Sequence, residues 1–285
     1  MVQGYYRFPT ICGGRVAFVC EDDLWVVAAE GGTARRLTTS VGAVSRAFFS
    51  PDGEWLALTG SDEGPTEIYV MPAAGGEATR LTFLGAGSTV AGWTPDGKRV
   101  VFSSNAKEPM ARMRSLFTVE AQRPGLPEPV PVGPASAIAY GPGGAVVIGR
   151  HSADPARWKR YRGGTAGELW IDRKGSGQYE RLIELDGNLA SPMWIGRRVF
   201  FLSDHEGIGN LYSCLPSGRG LRRHTDHEDY YARFPRTDGH RIVYHAGADL
   251  YLFDPDRDES RRLEVTVRSP RPQRQRKLVS GTRNL

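Results

Sequence analysis

The sequence predicts an all-β fold, a six-bladed β-propeller with four antiparallel strands per blade. Three observations carry this. A strand–turn–strand unit recurs six times; an apolar–aromatic pair in an alternating run follows each copy; and a fourth short run follows that pair. Periods of about 40–50 residues are the signature of propeller blades.

The clearest unit is Phe49-Ser50-Pro51-Asp52-Gly53-Glu54-Trp55-Leu56-Ala57-Leu58, which returns as Trp93-Thr94-Pro95-Asp96-Gly97-Lys98-Arg99-Val100-Val101-Phe102. Pro-Asp-Gly supplies a fixed φ and then a glycine that accepts positive φ, as a tight connection requires. Relaxed copies lie at Ile11–Phe18, Tyr140–Val147, Trp194–Phe201 and Arg236–Val243. Third strands are predicted at Leu24-Trp25, Ile68-Tyr69, Leu116-Phe117, Leu169-Trp170, Leu211-Tyr212 and Leu250-Tyr251, where alternation with aromatic and β-branched residues marks half-buried strands. Fourth strands are predicted around Arg35-Arg36-Leu37-Thr38, Arg80-Leu81-Thr82, Pro129–Val132, Arg181-Leu182, Arg222–Thr225 and Arg261–Glu264. The third unit is the weakest, since Pro129 and Pro131 interrupt its last strand.

Tyr5-Tyr6-Arg7-Phe8-Pro9 matches Tyr230-Tyr231-Ala232-Arg233-Phe234-Pro235, so the first unit opens with its own inner strand and the last closes with its own outer one. The expectation is an open closure: blade 1 packs on blade 6, no strand is exchanged, and the terminal blades open soonest. Residues 1–265 form the propeller, and residues 266–285 form a basic linker leading to the start of a following domain.

The chain has 285 residues, 40% hydrophobic and 24% charged, within the ordinary range for a globular protein. Its net charge is +5, but residues 266–285 carry six Arg and Lys and no acid, which leaves −1 for residues 1–265. A nucleic-acid partner needs a basic face on the fold, so this distribution argues against one. Membrane association is not expected either, because no run approaches the roughly 20 apolar residues of a membrane span. Residues 1–9 lack a basic-then-apolar leader, and the three cysteines, Cys12, Cys20 and Cys214, suit a reducing compartment, so a cytoplasmic location is expected.

Local catalytic signatures fail: there is no Gly-x-Ser-x-Gly elbow, no His-Glu-x-x-His and no phosphate-cradling glycine loop. Ser203-Asp204-His205 has the residue types of a hydrolytic triad, but it also parallels the turn Ser61-Asp62-Glu63-Gly64. Adjacent residues cannot converge as a triad must, so it reads as a turn. His224, Asp226, His227 and Glu228 match no strong zinc spacing and read as a polar connection between blades. No catalytic residue, metal or cofactor is expected.

Strand parity puts the second-to-third and fourth-to-next-first connections on one face. Two of the former are long, Ser103–Ser115 and Gly149–Gly167, which makes that face the working one. The second holds the candidate residues Trp158, Lys159, Tyr161 and Arg162, for docking on neighbouring domains or lining a peptide route.

The run Trp158-Lys159-Arg160-Tyr161-Arg162-Gly163-Gly164-Thr165-Ala166-Gly167, with Cys20–Trp25 and His224–Tyr231, resembles the N-terminal propeller of the tricorn protease family over residues 1 to about 265. The resemblance implies a cytosolic serine peptidase that shortens oligopeptides released by the proteasome and assembles as a homo-hexamer. In that family a seven-bladed propeller, a helical segment, a PDZ-like domain and the catalytic domains follow the six-bladed one. This chain would then be a non-catalytic channel and assembly domain whose partners are downstream domains of the same polypeptide and oligopeptides. Val279–Leu285 reads as the beginning of such a domain. The family also implies paired basic residues holding a peptide C-terminus, but the matching connection, Leu84–Gly92, has no Arg or Lys. The repeat is WD40-like in kind, and the alternative is a stand-alone propeller of the translocation-associated type that binds protein partners.

Overall fold

The computed structural model describes residues 5–39, 42–151 and 154–269. Six sheets of four consecutive antiparallel strands stand radially. Their inner strands are Arg7–Cys12, Val44–Phe49, Ser88–Trp93, Ala137–Tyr140, Leu189–Ile195 and Arg233–Thr237. The predicted strands of all four positions are found in every blade.

The Pro-Asp-Gly turns close as their chemistry dictates. Gly53 and Gly97 take φ of 74° and 68°, and Asp52 and Asp96 accept the backbone N–H groups of Glu54 and Lys98 at 3.0 and 3.1 Å. A second device ties third to fourth strands. Thr38 accepts the Leu24 N–H at 2.9 Å and donates to Asp23 at 2.8 Å. Thr82 with Ile68 and Glu67, and Thr225 with Leu211 and Asn210, repeat it in blades 2 and 5. These buried polar side chains are thereby satisfied inside the sheets, where an unpaired group would cost about 1–3 kcal/mol.

Apolar side chains fill the space between neighbouring blades, and the buried clusters fall one to each interface. Blade 3's fourth strand, Glu128–Pro134, does form despite its prolines. It is the outer edge of its sheet, where a missing N–H leaves no ladder partner unsatisfied.

At the join, both terminal blades take all four strands from their own stretch of chain, as expected for an open closure. One feature goes beyond that expectation. Val265–Val267 continues past blade 6 and pairs in parallel with the outer strand of blade 1, Gly32–Arg36. The Gly32 N–H donates to the Glu264 carbonyl at 2.8 Å. A Cβ on Gly31 (φ 101°) would meet that same oxygen at 2.7 Å, so the approach depends on glycine. Val279–Leu285, and residues 270–278 before it, lie outside the described residues.

No helix among the described residues is long and apolar enough to cross a membrane.

Candidate functional site at the channel mouth

Four inner strands, those of blades 1, 2, 5 and 6, carry a bulge whose residue has positive φ: Phe8 (49°), Arg46 (47°), Ser191 (54°) and Phe234 (48°). Such bulges bend a strand and re-aim its side chains. The inner strands enclose a channel with a cavity of ≈ 190 Å³, lined from all six blades, with Arg46, Arg236, Ser191 and Trp194 in its wall.

The loop of residues 154–167 lies on the face where the inner strands begin. Asp154 caps a short 3-10 turn, Pro155–Arg157, by accepting the Ala156 N–H at 3.1 Å. Its other oxygen receives Arg233 of blade 6 through Nη2 at 2.5 Å and Nε at 3.2 Å. The loop therefore leaves blade 4, reaches blade 6 at Asp154 and returns along blade 5. Blade 5 holds it through Asp204 and Asn188. Asp204 accepts the Arg160 N–H and the Asn188 N–H, each at 2.7 Å, and Asn188 Nδ2 donates to the Trp158 carbonyl at 2.9 Å.

The four candidate residues part company here. Trp158, 49% exposed, stacks at a tilt on Tyr161 with ring centroids 5.4 Å apart, and Arg112 from the other long loop lies 5.8 Å over the Trp158 ring. Lys159 turns to blade 6, with Nζ 5.5 Å from the Tyr231 ring. Arg162 pairs with Asp186 at 2.9 Å in the connection between blades 4 and 5, both exposed. Trp158, Tyr161 and Arg112 thus form an outward aromatic–cationic patch, while Lys159 and Arg162 fasten the loop's flanks.

The other clusters considered from sequence also resolve. Ser203 Oγ lies 2.9 Å from His205 Nδ1, but Asp204 faces the opposite way, toward Arg160 and Asn188. Burial lowers the His205 pKa. His224 contacts Ser213 and Asp258, whereas His227 contacts Tyr244. Among the described residues no group of three or more His, Cys, Asp or Glu could hold a metal ion. Cys12 and Cys214 are free thiols, and Cys12 and Cys20 sit at opposite ends of their hairpin.

Arg46, Arg236, Asp154 and Arg233 were not among the candidate site residues read from sequence, and Asp204 was read there only as part of a turn. Asp154-Pro155 is a cap signal that could have flagged the first of the acids. The rest are joined across blades and leave no local trace.

Six four-stranded blades around a lined channel, with long loops on one face, define the molecule as a six-bladed β-propeller. Comparison with known proteins is more specific. The sequence matches the family described as the Tricorn protease N-terminal beta propeller domain over residues 3–259. Tricorn protease homolog 1 of Streptomyces coelicolor is 41% identical over 98% of this chain, and Tricorn protease of Thermoplasma acidophilum is 35% identical over 90%. The chain spans only 26% and 25% of those relatives' lengths. A solved structure, the crystal structure of the tricorn protease, superposes with a TM-score of 0.87 at 34% identity, covering 94% of this chain and 27% of its own. The chain belongs to the tricorn protease N-terminal β-propeller family.

Proposed function

We propose that this chain is the non-catalytic N-terminal propeller of a tricorn-like serine peptidase of the cytoplasm, one that shortens oligopeptides released by the proteasome. The observation that carries the reading is similarity sustained across nearly the whole ring, residues 3–259, together with the 0.87 superposition. In this reading residues 266–285 lead from the propeller into downstream domains, which supply the catalytic groups, and full-length subunits assemble as a homo-hexamer.

Two roles follow for the propeller. The channel offers a route for extended peptides, and the Trp158–Tyr161–Arg112 patch offers a surface for docking another domain. An exposed tryptophan beside a cation suits a buried interface, since Trp, Tyr and Arg dominate interface energetics. The test is Trp158→Ala with Tyr161→Ala in the full-length enzyme, read by light scattering for assembly and by oligopeptide turnover. Loss of at least one is expected; both unchanged would refute the roles assigned to this face. The 285-residue chain alone is expected not to cleave a fluorogenic peptide.

A further inference from the structure

The chain runs on past the last strand of blade 6. Leu263 is buried in the cluster at the join, and the backbone then follows the outer strand of blade 1, with Val265 beside Gly32, Thr266 beside Thr33 and Val267 beside Ala34. Outer strands run toward the working face, and a strand parallel to one does the same. Its far end is pinned there: Ser269 Oγ donates to Glu21 Oε2 at 2.7 Å, in the second-to-third connection of blade 1. Near its start the hydroxyl of Tyr6, just before the inner strand of blade 1, donates to the Val265 carbonyl at 3.1 Å. The stretch 264–269 thus ties blade 6 to the beginning, one loop and the outer edge of blade 1.

Blade 1 is shaped to receive it. The Gly31-Gly32 turn, with φ of 101° and 112°, clears the path of the Glu264 carbonyl. The fourth strand of blade 1 meets its third only at Trp25–Arg36 and Val26–Arg35, and the added strand covers the edge that this leaves. Among the described residues blade 1 alone has a fifth strand.

This stretch is held differently from the rest of the join. Tyr6, Phe18, Trp25 and Leu252 are buried, whereas Val265, Thr266 and Val267 are all half-buried, the two valines packing on the outside of the cluster. Edge hydrogen bonds that face water trade protein partners for water at small net cost. A segment with little burial opens locally, while the buried cluster beneath it stays packed. The strand can pair with Gly32–Arg36 only while blades 1 and 6 touch, so its pairing stabilises the closed join alone.

We propose that residues 264–269 are a releasable strap. Seated, it keeps the join shut; lifted, it leaves the join the first part of the ring to open. The strap is also the stretch that leads from blade 6 into residues 270–285, so a displacement there acts on the join. That coupling to downstream domains rests on the place proposed above for this chain in a longer peptidase; the strap itself does not.

Amide hydrogen exchange in the 285-residue chain reads strap and join separately. The Gly32 N–H, bonded to Glu264 at 2.8 Å, reports the strap. The Tyr6 N–H, which donates to the Ala248 carbonyl of blade 6 at 3.1 Å, and the amides of Arg15–Cys20 in the second strand of blade 1 report the join. Thr266→Pro removes an N–H from the middle of the strap and leaves the buried cluster intact. Gly32, Tyr6 and Arg15–Cys20 should then exchange about 10-fold faster, and no later than blades 3 and 4, whose rates should not change. A disulfide between cysteines placed by Thr33→Cys and Thr266→Cys should do the reverse and slow the blade 1 amides about 10-fold. Should the proline variant fail to fold, the oxidised and reduced forms of the cysteine pair read the same difference in folded protein. Faster Gly32 exchange with Arg15–Cys20 unchanged, or a locked strap with those amides at the parent rate, would overturn the proposal. Oligopeptide turnover by the full-length enzyme, with the lock oxidised and reduced, reads the coupling. Equal turnover while the blade 1 amides still respond removes the coupling and keeps the strap, whereas blade 1 amides that do not respond remove the strap whatever the turnover.

Discussion

The join between blades 6 and 1 brings thirteen buried residues together, Tyr6, Phe18, Trp25, Val243 and Leu252 among them; between blades 3 and 4 the buried set is Val101, Leu116, Ala135 and Ile148. The join is also stitched by hydrogen bonds: Arg241 donates to the Gly13 carbonyl, Arg261 to the Ala29 carbonyl at 2.7 Å, and Tyr6 to the Val265 carbonyl at 3.1 Å. At the 3–4 interface Tyr140, Trp170 and Tyr179 are only partly buried, and Arg150 and Arg181 lie over the Trp170 ring at 4.5 and 5.8 Å. Neither terminal blade borrows one of its four strands from the other, so the join rests on packing, on these hydrogen bonds and on the added pairing of Val265–Val267 with Gly32–Arg36. Both long loops of the working face spring from blades 3 and 4, the thinly packed pair. The expectation that the terminal blades open first therefore reverses: amides of blades 3 and 4 should exchange before those of blades 1 and 6.

The largest expected effect tests that contrast directly. Phe18→Ala empties a fully buried site at the join and should cost about 4 kcal/mol, against about 2 kcal/mol for Ile148→Ala at the 3–4 interface. Urea melts measure both. Equal costs would show that the thin interface is stiffened by something other than its buried residues.

Next in size is Asp204→Ala. It strands the N–H groups of Arg160 and Asn188 and should cost about 3 kcal/mol, with Asp204→Asn intermediate. Because the loop is tied to blade 5 by these bonds, limited proteolysis within residues 158–167 should accelerate more than global unfolding does. Cleavage that tracks global stability alone would mean the loop stands without its anchor.

The fold was legible because its signals are local. Pro51-Asp52-Gly53 and the Leu24-Trp25 type of pair each act within a few residues, and their recurrence does the rest. The site was legible only where one loop was long and aromatic, at Trp158 and Tyr161. Arg46 sits in Val44-Ser45-Arg46-Ala47-Phe48, where alternation gives no warning that a bulge turns it toward Phe234, far away in the chain. Asp204 looked like part of a turn, and its partner Arg160 is 44 residues away. Val265–Val267 is too short to announce a strand, and its parallel pairing exists only once the ring has closed.

A smaller effect comes from pH. His245 is 1% exposed, packed at 5.7 Å on Phe234 and at 6.2 Å on Phe8, and its Nδ1 has no hydrogen-bond partner among the described residues. Burial first, then the charges of Arg233 and Arg7, lower its pKa from 6.5 to about 3. The folded state thus keeps it neutral while the unfolded chain takes up a proton below pH 6.5. Stability is full above that value and falls as pH drops toward 3, by about 2 kcal/mol between pH 6.5 and 5. His205, His224 and His227 are lowered in the same direction and steepen the slope. His245→Phe should flatten most of it; an unaltered slope would place the acid sensitivity in those three instead.

The smallest effect concerns the strand added across the join. Tyr6→Phe keeps the edge-on contact with Phe18, at 5.1 Å between centroids, and removes the hydroxyl that reaches the Val265 carbonyl. The expected cost is about 1 kcal/mol in the urea midpoint, with the slope of the transition unchanged. The Gly32 amide, which bonds to Glu264 beside that strand, should exchange faster in the same variant. If the midpoint shifts but Gly32 exchange does not, the hydroxyl supports the join as a whole and the added strand is held by the burial of Leu263. If Gly32 exchange rises while the midpoint stays, the strand opens independently of the ring, and closure rests on the packing of blades 1 and 6 alone.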